Sequence, residues 1–190
     1  MRNHVRAIMD IRGEEWPFAL SMFGYFFLVV TIFWILKPLK KAVFVGFYKA
    51  RGFELLGTHF TAAQAELWAK VINVFVAMAA VAFFSWLSDR FVRQQLTAIF
   101  SVFFAACYLV YSFALQDPGP LTIWTFYLFG DLFATLMIAT FFVFLNDSVT
   151  SDSAKRLYGV IGLGGVLGGA FGSIVVNTLV RGKGVSWPTW

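Results

Sequence analysis

The sequence predicts an all-α fold, a polytopic membrane helix bundle with five transmembrane helices. Hydrophobic residues make up 59% of the 190-residue chain and charged residues only 13%, and the mean hydropathy is +0.75. So few polar groups cannot cover the surface of a water-soluble globule. The apolar residues also lack the alternating pattern of a membrane β-barrel, and open sheet edges cannot be satisfied in lipid, so membrane-spanning strands are not expected.

Uncharged runs define the predicted spans, because a helix needs about 20 apolar residues to cross the hydrocarbon layer. Four such runs cover residues 16–36, 71–87, 94–116 and 157–180. A further apolar segment, 118–146, is interrupted by Asp131, and neither half can cross alone, so both halves are expected to form one helix. In a single transmembrane domain over 1–190, the five spans are predicted near 16–47, 64–88, 94–116, 119–146 and 155–180.

Residues 1–15 are predicted to form a cytoplasmic or interfacial lead, because they mix acids with bases and do not resemble a signal peptide. The spacing of Val5, Ile8, Met9 and Arg12 fits a short interfacial helix, and a disordered lead fits equally well.

Metal and cofactor chemistry are not expected. Cys107 is the single cysteine and falls in the third span, and His4 and His59 lack the spacing of metal ligands. The basic residues lie at helix ends and in short loops without a basic arm, so a nucleic-acid polymer is not an expected partner.

The distribution of positive charge predicts the orientation of the chain in the membrane only if some lysines are counted as buried in the protein rather than as loop residues. With the N-terminus inside, seven Lys and Arg residues fall on each side. Moving Lys37, Lys40 and Lys41 into the protein interior leaves seven against four, which predicts a cytoplasmic N-terminus. On a helix these lysines are spaced i, i+3 and i+4 and are expected to share one face, where they repel one another.

Two interpretations of the three lysines stay open. In the first, they anchor the first span by reaching lipid headgroups, since 16–36 already completes a span. Alternatively they face an anion inside the protein, and Pro38 slightly favours this because it frees the carbonyl of Trp34 and can kink the helix next to a cavity.

Asp131 indicates a functional site more strongly than the three lysines do. A carboxylate in mid-membrane costs at least ~2.5 kcal/mol, so it normally faces a bundle interior and finds a partner there. A functional position is therefore predicted, with a structural hydrogen bond or a protonated acid as the alternative.

The fifth span repeats glycines at four-residue spacing, which predicts close approach to another helix. The glycines concerned are Gly164, Gly165, Gly168, Gly169 and Gly172. A dinucleotide-binding loop is not indicated, because Leu167 stands where the third glycine belongs and no strand precedes it.

Two stretches resemble known transporter families. Residues 85–93, SWLSDRFVR, resemble a degenerate major facilitator signature that keeps Asp89, Arg90 and Arg93, with an ordinary charged turn as the alternative. Residues 124–169 resemble the ATP/ADP translocase family of intracellular bacteria and plastids, which is related to the major facilitator superfamily. The matching positions are Tyr127, Asp131, Phe144, Asn146, Ala154, Lys155, Arg156 and Tyr158, and in the first span Lys37 and Lys40.

The resemblance implies site residues. Lys37, Lys40 and Asp131 would bind the substrate, with Lys41 and Asn146 as secondary candidates. The cytoplasmic gate loops would contain Asp89, Arg90, Arg93, Lys155 and Arg156. Lys41 replaces the family's acid beside the motif lysine, which adds positive charge and favours an anionic substrate.

The expected function is therefore nucleotide exchange of the ATP/ADP kind across a bacterial inner membrane. The chain would be most of an N-terminal six-helix bundle without its last helix, with its partners being a phosphate-bearing molecule, lipid, and a C-terminal half or other membrane subunits. The alternative is a transporter-derived, non-transporting subunit of a larger membrane complex. An enzyme is not expected, because no nucleophile, base and orienting group recur together.

Overall fold

The computed structural model describes residues 12–55 and 58–182 and confirms the all-α fold. Five helices in this part of the chain are long and apolar enough to cross a membrane, as expected of a multi-pass membrane protein. They are α1 (Trp16–Arg51), α2 (Ala62–Ser88), α3 (Arg93–Ala114), α4 (Pro120–Ser148) and α5 (Ser151–Gly182), with a 3-10 helix, Gly13–Glu15, before α1. Most of the predicted N-terminal lead, residues 1–11, lies outside the described residues.

The helix ends follow local chemistry. Gly52 ends α1 with a φ of 71°, a left-handed conformation that glycine adopts without steric cost. Thr61 caps α2 through a capping box with Gln64, in which each side chain bonds the other residue's backbone N–H. Pro120 opens α4, where its missing N–H removes no helical hydrogen bond.

Helix α1 is longer than predicted. It continues through Pro38 to Arg51, and its 36 residues correspond to about 54 Å at 1.5 Å per residue. That length exceeds the roughly 30 Å hydrocarbon layer, so the helix tilts or extends beyond it.

A short hairpin, which the sequence did not predict, follows α1. Strands β1 (Phe53–Leu55) and β2 (Thr58–Phe60) pair antiparallel, with Glu54 opposite His59. Three-residue strands are too short to produce a recognisable alternation in the sequence.

Helix α4 is the centre of the bundle. It packs against α1, α2 and α3, and its apolar stretch has the largest buried share of the five, whereas that of α2 has the smallest. The main core lies between these four helices and includes Leu36, Phe104, Phe133 and Met137. Asp131, the carboxylate near the middle of α4, is therefore carried by the most enclosed helix.

Helix α5 packs mainly on α1, along the glycines noted in the sequence. A Cβ atom added to Gly164 or Gly168 would lie 2.5 Å from the carbonyl oxygen of Phe23 or Phe27, respectively. A side chain at either glycine would therefore collide with the backbone of α1. We call this contact the glycine seam, with Gly172 as its last member.

The glycine seam ends near Thr31 and Trp34. Thr31 Oγ1 donates a hydrogen bond of 3.2 Å to the carbonyl oxygen of Gly168. A Cβ on Gly172 would lie 2.8 Å from the Thr31 carbonyl oxygen, and one on Gly169 would lie 2.9 Å from Trp34 Nε1. The next residue at four-residue spacing after Gly172 is Val176, so the row of glycines stops there.

Candidate functional site

Lys40 of α1 and Asp131 of α4 form an ion pair inside the bundle. The Lys40 side chain is 7% exposed and that of Asp131 is 33% exposed. Asp131 lies about 17 Å from the start of α4 and about 26 Å from its end, at 1.5 Å per residue. The ion pair therefore lies away from both ends of α4. It joins the two residues that the sequence singled out most strongly.

The surroundings of Lys40 fit its side chain closely. Its Nζ lies 4.6 Å from the centre of the Tyr127 ring, within cation-π distance. Gly130 provides the space, because a Cβ at that position would lie 2.6 Å from Lys40 Cδ and 3.4 Å from Leu36. Lys40 is thus surrounded by one carboxylate, one aromatic face and one glycine.

Glu66 of α2 forms a second ionic cluster next to this pair. Glu66 Oε1 lies 3.2 Å from Lys41 Nζ and 3.2 Å from Lys70 Nζ. The Glu66 side chain is 11% exposed, whereas those of Lys41 and Lys70 are 59% and 57% exposed. One nearly buried carboxylate therefore serves two lysines that reach out of the bundle.

Lys37 and Lys41 do not face the interior with Lys40, so the expected shared interior face of the three lysines is wrong and only Lys40 is buried. Lys41 reaches Glu66, whereas Lys37 does not. Its side chain is exposed and its Nζ lies 5.5 Å from the ring centre of Phe33 and 5.7 Å from that of Trp34. Within residues 12–55 and 58–182, no carboxylate pairs with Lys37.

These groups occupy one level of the bundle, which we call the charged layer: Lys37, Lys40, Lys41, Glu66, Lys70 and Asp131. An aromatic cluster that includes Phe44, Tyr48 and Tyr127 lies on its hairpin side, and the main core, with Leu36 and Phe133, lies on the other. The charged layer holds four lysines and two carboxylates, so it has an excess of positive charge between two apolar regions.

The predicted gate residues lie far from the charged layer. Asp89 caps the end of α2, Arg90 stacks its guanidinium 4.8 Å from the Trp86 ring centre, and Arg93 is the first residue of α3. Lys155 is exposed near the start of α5. The α2–α3 turn and the start of α5 are both charged.

Arg156 joins the start of α5 to the chain ahead of α1. It donates to Glu15 and to Asp152, each at 2.9 Å, and Ser153 Oγ also donates to Glu15 at 3.2 Å. Arg156 therefore holds the starts of α1 and α5 together at one end of the bundle and is a structural contact at this position.

Asn146 does not belong to the charged layer. It accepts a hydrogen bond from the hydroxyl of Tyr158 and lies fifteen residues beyond Asp131 on the same helix, which is about 22 Å. Its secondary role in substrate binding would need a second binding position at the opposite end of the bundle.

Glu66 and Lys70 are the members of the charged layer that the sequence analysis missed. Both lie in the first part of the predicted second span, 64–88, before the uncharged run 71–87, and neither was predicted to be a site residue. Their i, i+4 spacing marks an ion pair on a helix, but it does not show that Glu66 points inward. Among the described residues, no three His, Cys, Asp or Glu side chains gather into a metal site.

The chain has no significant match among family models, curated proteins or solved structures.

Proposed function

We propose that this protein is part of a membrane carrier that binds a phosphate-bearing anion in the charged layer. One observation carries the proposal: beside the buried Lys40–Asp131 pair, three exposed lysines, Lys37, Lys41 and Lys70, have only one carboxylate between them, Glu66. Lysines that outnumber the carboxylates beside them create a local positive potential that attracts an anion. Phosphate oxygens are strong acceptors for ammonium donors, so a phosphate ester satisfies such a site well.

The resemblance to the ATP/ADP translocase family supports a nucleotide as the anion. The residues that match the family's motif lysine and motif acid, Lys40 and Asp131, are the two that pair inside the bundle. We further propose nucleotide exchange across a bacterial inner membrane, with the N-terminus in the cytoplasm and a second half or partner subunits completing the carrier.

Equilibrium binding tests the proposal without assuming transport. The purified chain in detergent is titrated with radiolabelled ATP, and ADP, inorganic phosphate and uncharged adenosine are used as competitors. We expect saturable ATP binding that ADP displaces, that phosphate displaces weakly, and that weakens as salt is raised. Binding that adenosine displaces as well as ADP does would contradict recognition of the phosphates, and an absence of saturable binding would contradict the whole proposal.

Cysteine labelling tests the proposed orientation. In sealed cells, a cysteine placed at Asp117 should react with a membrane-impermeant reagent, whereas a cysteine at Arg90 should react only after lysis. The background is a variant with Cys107 replaced by Ala. Labelling of the Arg90 site in sealed cells would reverse the orientation.

A further inference from the structure

An open groove lies between α1 and α5 immediately beyond the glycine seam. Its volume is about 520 Å³, within the range of roughly 300–1,000 Å³ for small-molecule sites. The groove is lined by Trp34, Lys37, Pro38, Lys41, Ser173, Val176 and Asn177. Two lysines of the charged layer therefore face this groove rather than the bundle interior.

We propose that the phosphate groups of the substrate bind in this groove, where Lys37 and Lys41 supply the positive charge and Asn177 and Ser173 supply neutral polar groups. The inference rests on the proposed function and deepens it. It assigns the phosphate contacts to Lys37 and Lys41 instead of Lys40.

Lys40 is unsuited to direct contact with the phosphates. Its side chain is nearly buried and already paired with Asp131, and it is enclosed by Gly130 and Tyr127. Withdrawing Lys40 toward a ligand would leave the Asp131 carboxylate without its partner inside the bundle, which is costly. Lys40 therefore keeps its partner when a ligand binds.

Lys37 and Lys41 are available. Lys37 contacts only the aromatic faces of Phe33 and Trp34 and has no carboxylate partner among the described residues. Lys41 can leave Glu66 without isolating it, because Lys70 stays 3.2 Å from the same carboxylate oxygen. Turning these two ammonium groups to a ligand therefore leaves no buried carboxylate without a lysine.

The polar groups form two matching rows. Lys37 and Lys41 are spaced i, i+4 on α1, and Ser173 and Asn177 are spaced i, i+4 on α5, so each row spans about 6 Å at 1.5 Å per residue. Ser173 Oγ donates to the carbonyl of Gly169 at 2.8 Å, whereas the Asn177 amide makes no hydrogen bond within residues 12–55 and 58–182. A linear di- or triphosphate can contact both rows along the groove. The Asn177 amide is then the neutral group best placed to donate a hydrogen bond to a phosphate oxygen.

Trp34 gives the groove an aromatic wall. It is 42% exposed, and its indole lies against Gly169 of α5, at the end of the groove that joins the glycine seam. A base can stack on an exposed indole whatever its hydrogen-bonding pattern. The groove thus fits a ligand with a flat ring at one end and phosphates at the other.

Binding of radiolabelled ATP to purified full-chain variants in detergent tests the proposal. Lys37→Ala and Lys41→Ala should each weaken ATP binding by about tenfold, the usual loss for one charge-assisted contact. Lys37→Arg should retain most of the affinity because the charge is kept. Lys49→Ala, which removes an exposed lysine of the same helix outside the groove, should bind ATP like the unaltered protein. Both groove lysines are exposed, and an unchanged melting temperature confirms that each variant is folded.

The outcomes separate this inference from the function on which it rests. If the unaltered protein binds no ATP, the proposed function itself is wrong. A double variant carries both Lys37→Ala and Lys41→Ala. If the unaltered protein binds ATP and the double variant binds ATP with the same affinity, only the groove assignment is wrong. A parallel experiment measures phosphatidylglycerol binding in mixed micelles. If the double variant loses bound phosphatidylglycerol but keeps its ATP affinity, the groove is a lipid site and the assignment is overturned.

Discussion

Lys40 and Lys41 are neighbours in the chain and occupy opposite environments on the two sides of α1. The interior side, at Lys40, is nearly closed and its charge is matched by Asp131, whereas the groove side, at Lys41 and Lys37, is open and only partly matched. The buried lysine is held by a carboxylate of another helix, whereas the two exposed lysines are the ones that we propose bind the ligand. Burial, and not residue type, decides which lysine does which.

The largest expected effect is on the interior side. Asp131→Ala leaves Lys40 unpaired inside the bundle, and removing one partner of a buried pair costs about 3–5 kcal/mol. Because Asp131 is one third exposed, we expect a loss near 3 kcal/mol in the free energy of unfolding in detergent. Asp117→Ala, in an exposed turn, is the matched control and should cost little.

A double variant sharpens this prediction. Lys40→Met with Asp131→Leu replaces both charges by apolar groups and should recover most of the stability, since buried ion pairs are often no better than apolar replacements. If Asp131→Ala unfolds at the same temperature as the unaltered protein, the ion pair with Asp131 does not stabilise Lys40 in the bundle. The proposed difference between the interior side and the groove side of α1 is then wrong.

The next largest effect is expected from a substitution in the glycine seam, which holds α5 beside the groove. Gly168→Leu places a side chain against the backbone of Phe27, and overpacking of this kind costs about 1–3 kcal/mol. The control is Gly159→Leu, because an added Cβ at Gly159 meets nothing within 4 Å. Thermal unfolding in detergent measures both, and equal melting temperatures for the two variants would mean that the seam does not hold the bundle together.

The smallest effect concerns the space beside Lys40. Gly130→Ala pushes a methyl group into the Lys40 side chain, and we expect a loss of about 1 kcal/mol, because that side chain can shift but is enclosed. Gly24→Ala, where a Cβ meets nothing within 4 Å, should be neutral or slightly stabilising, since alanine favours helix more than glycine does. A stabilising Gly130→Ala would show that Lys40 has room to move.

Much of the fold follows from the sequence, because uncharged runs and the cost of an unpaired mid-membrane carboxylate leave few alternatives. The glycine spacing likewise predicted a close helix contact, and the structure shows that the partner is α1. The division of the lysines could not be predicted, because residues at i and i+1 point about 100° apart on a helix. Lys40 and Lys41 therefore belong to different surfaces, and only the positions of α2, α4 and α5 decide which surface is enclosed.

The hairpin and Glu66 escaped prediction for different physical reasons. Three-residue strands have no periodicity to detect, and Glu66 lies just before an uncharged run, where a charged residue usually faces water or headgroups. In the structure Lys41 of α1 lies 3.2 Å from Glu66 of α2, and this contact between distant parts of the chain could not be read from the residues around Glu66.

Photoaffinity labelling with an azido-ATP tests the central claim most directly, that phosphates and base lie in the groove side of the charged layer. The purified chain is labelled with light, digested, and the modified residues are located by mass spectrometry, with excess ATP as the competition control. The account predicts ATP-protected labels within 34–41 and 173–177, and a loss of these labels in the Lys37→Ala, Lys41→Ala double variant. ATP-protected labels at Asn146 or Tyr158, with 34–41 and 173–177 unmodified, would contradict it and place the ligand at the opposite end of the bundle.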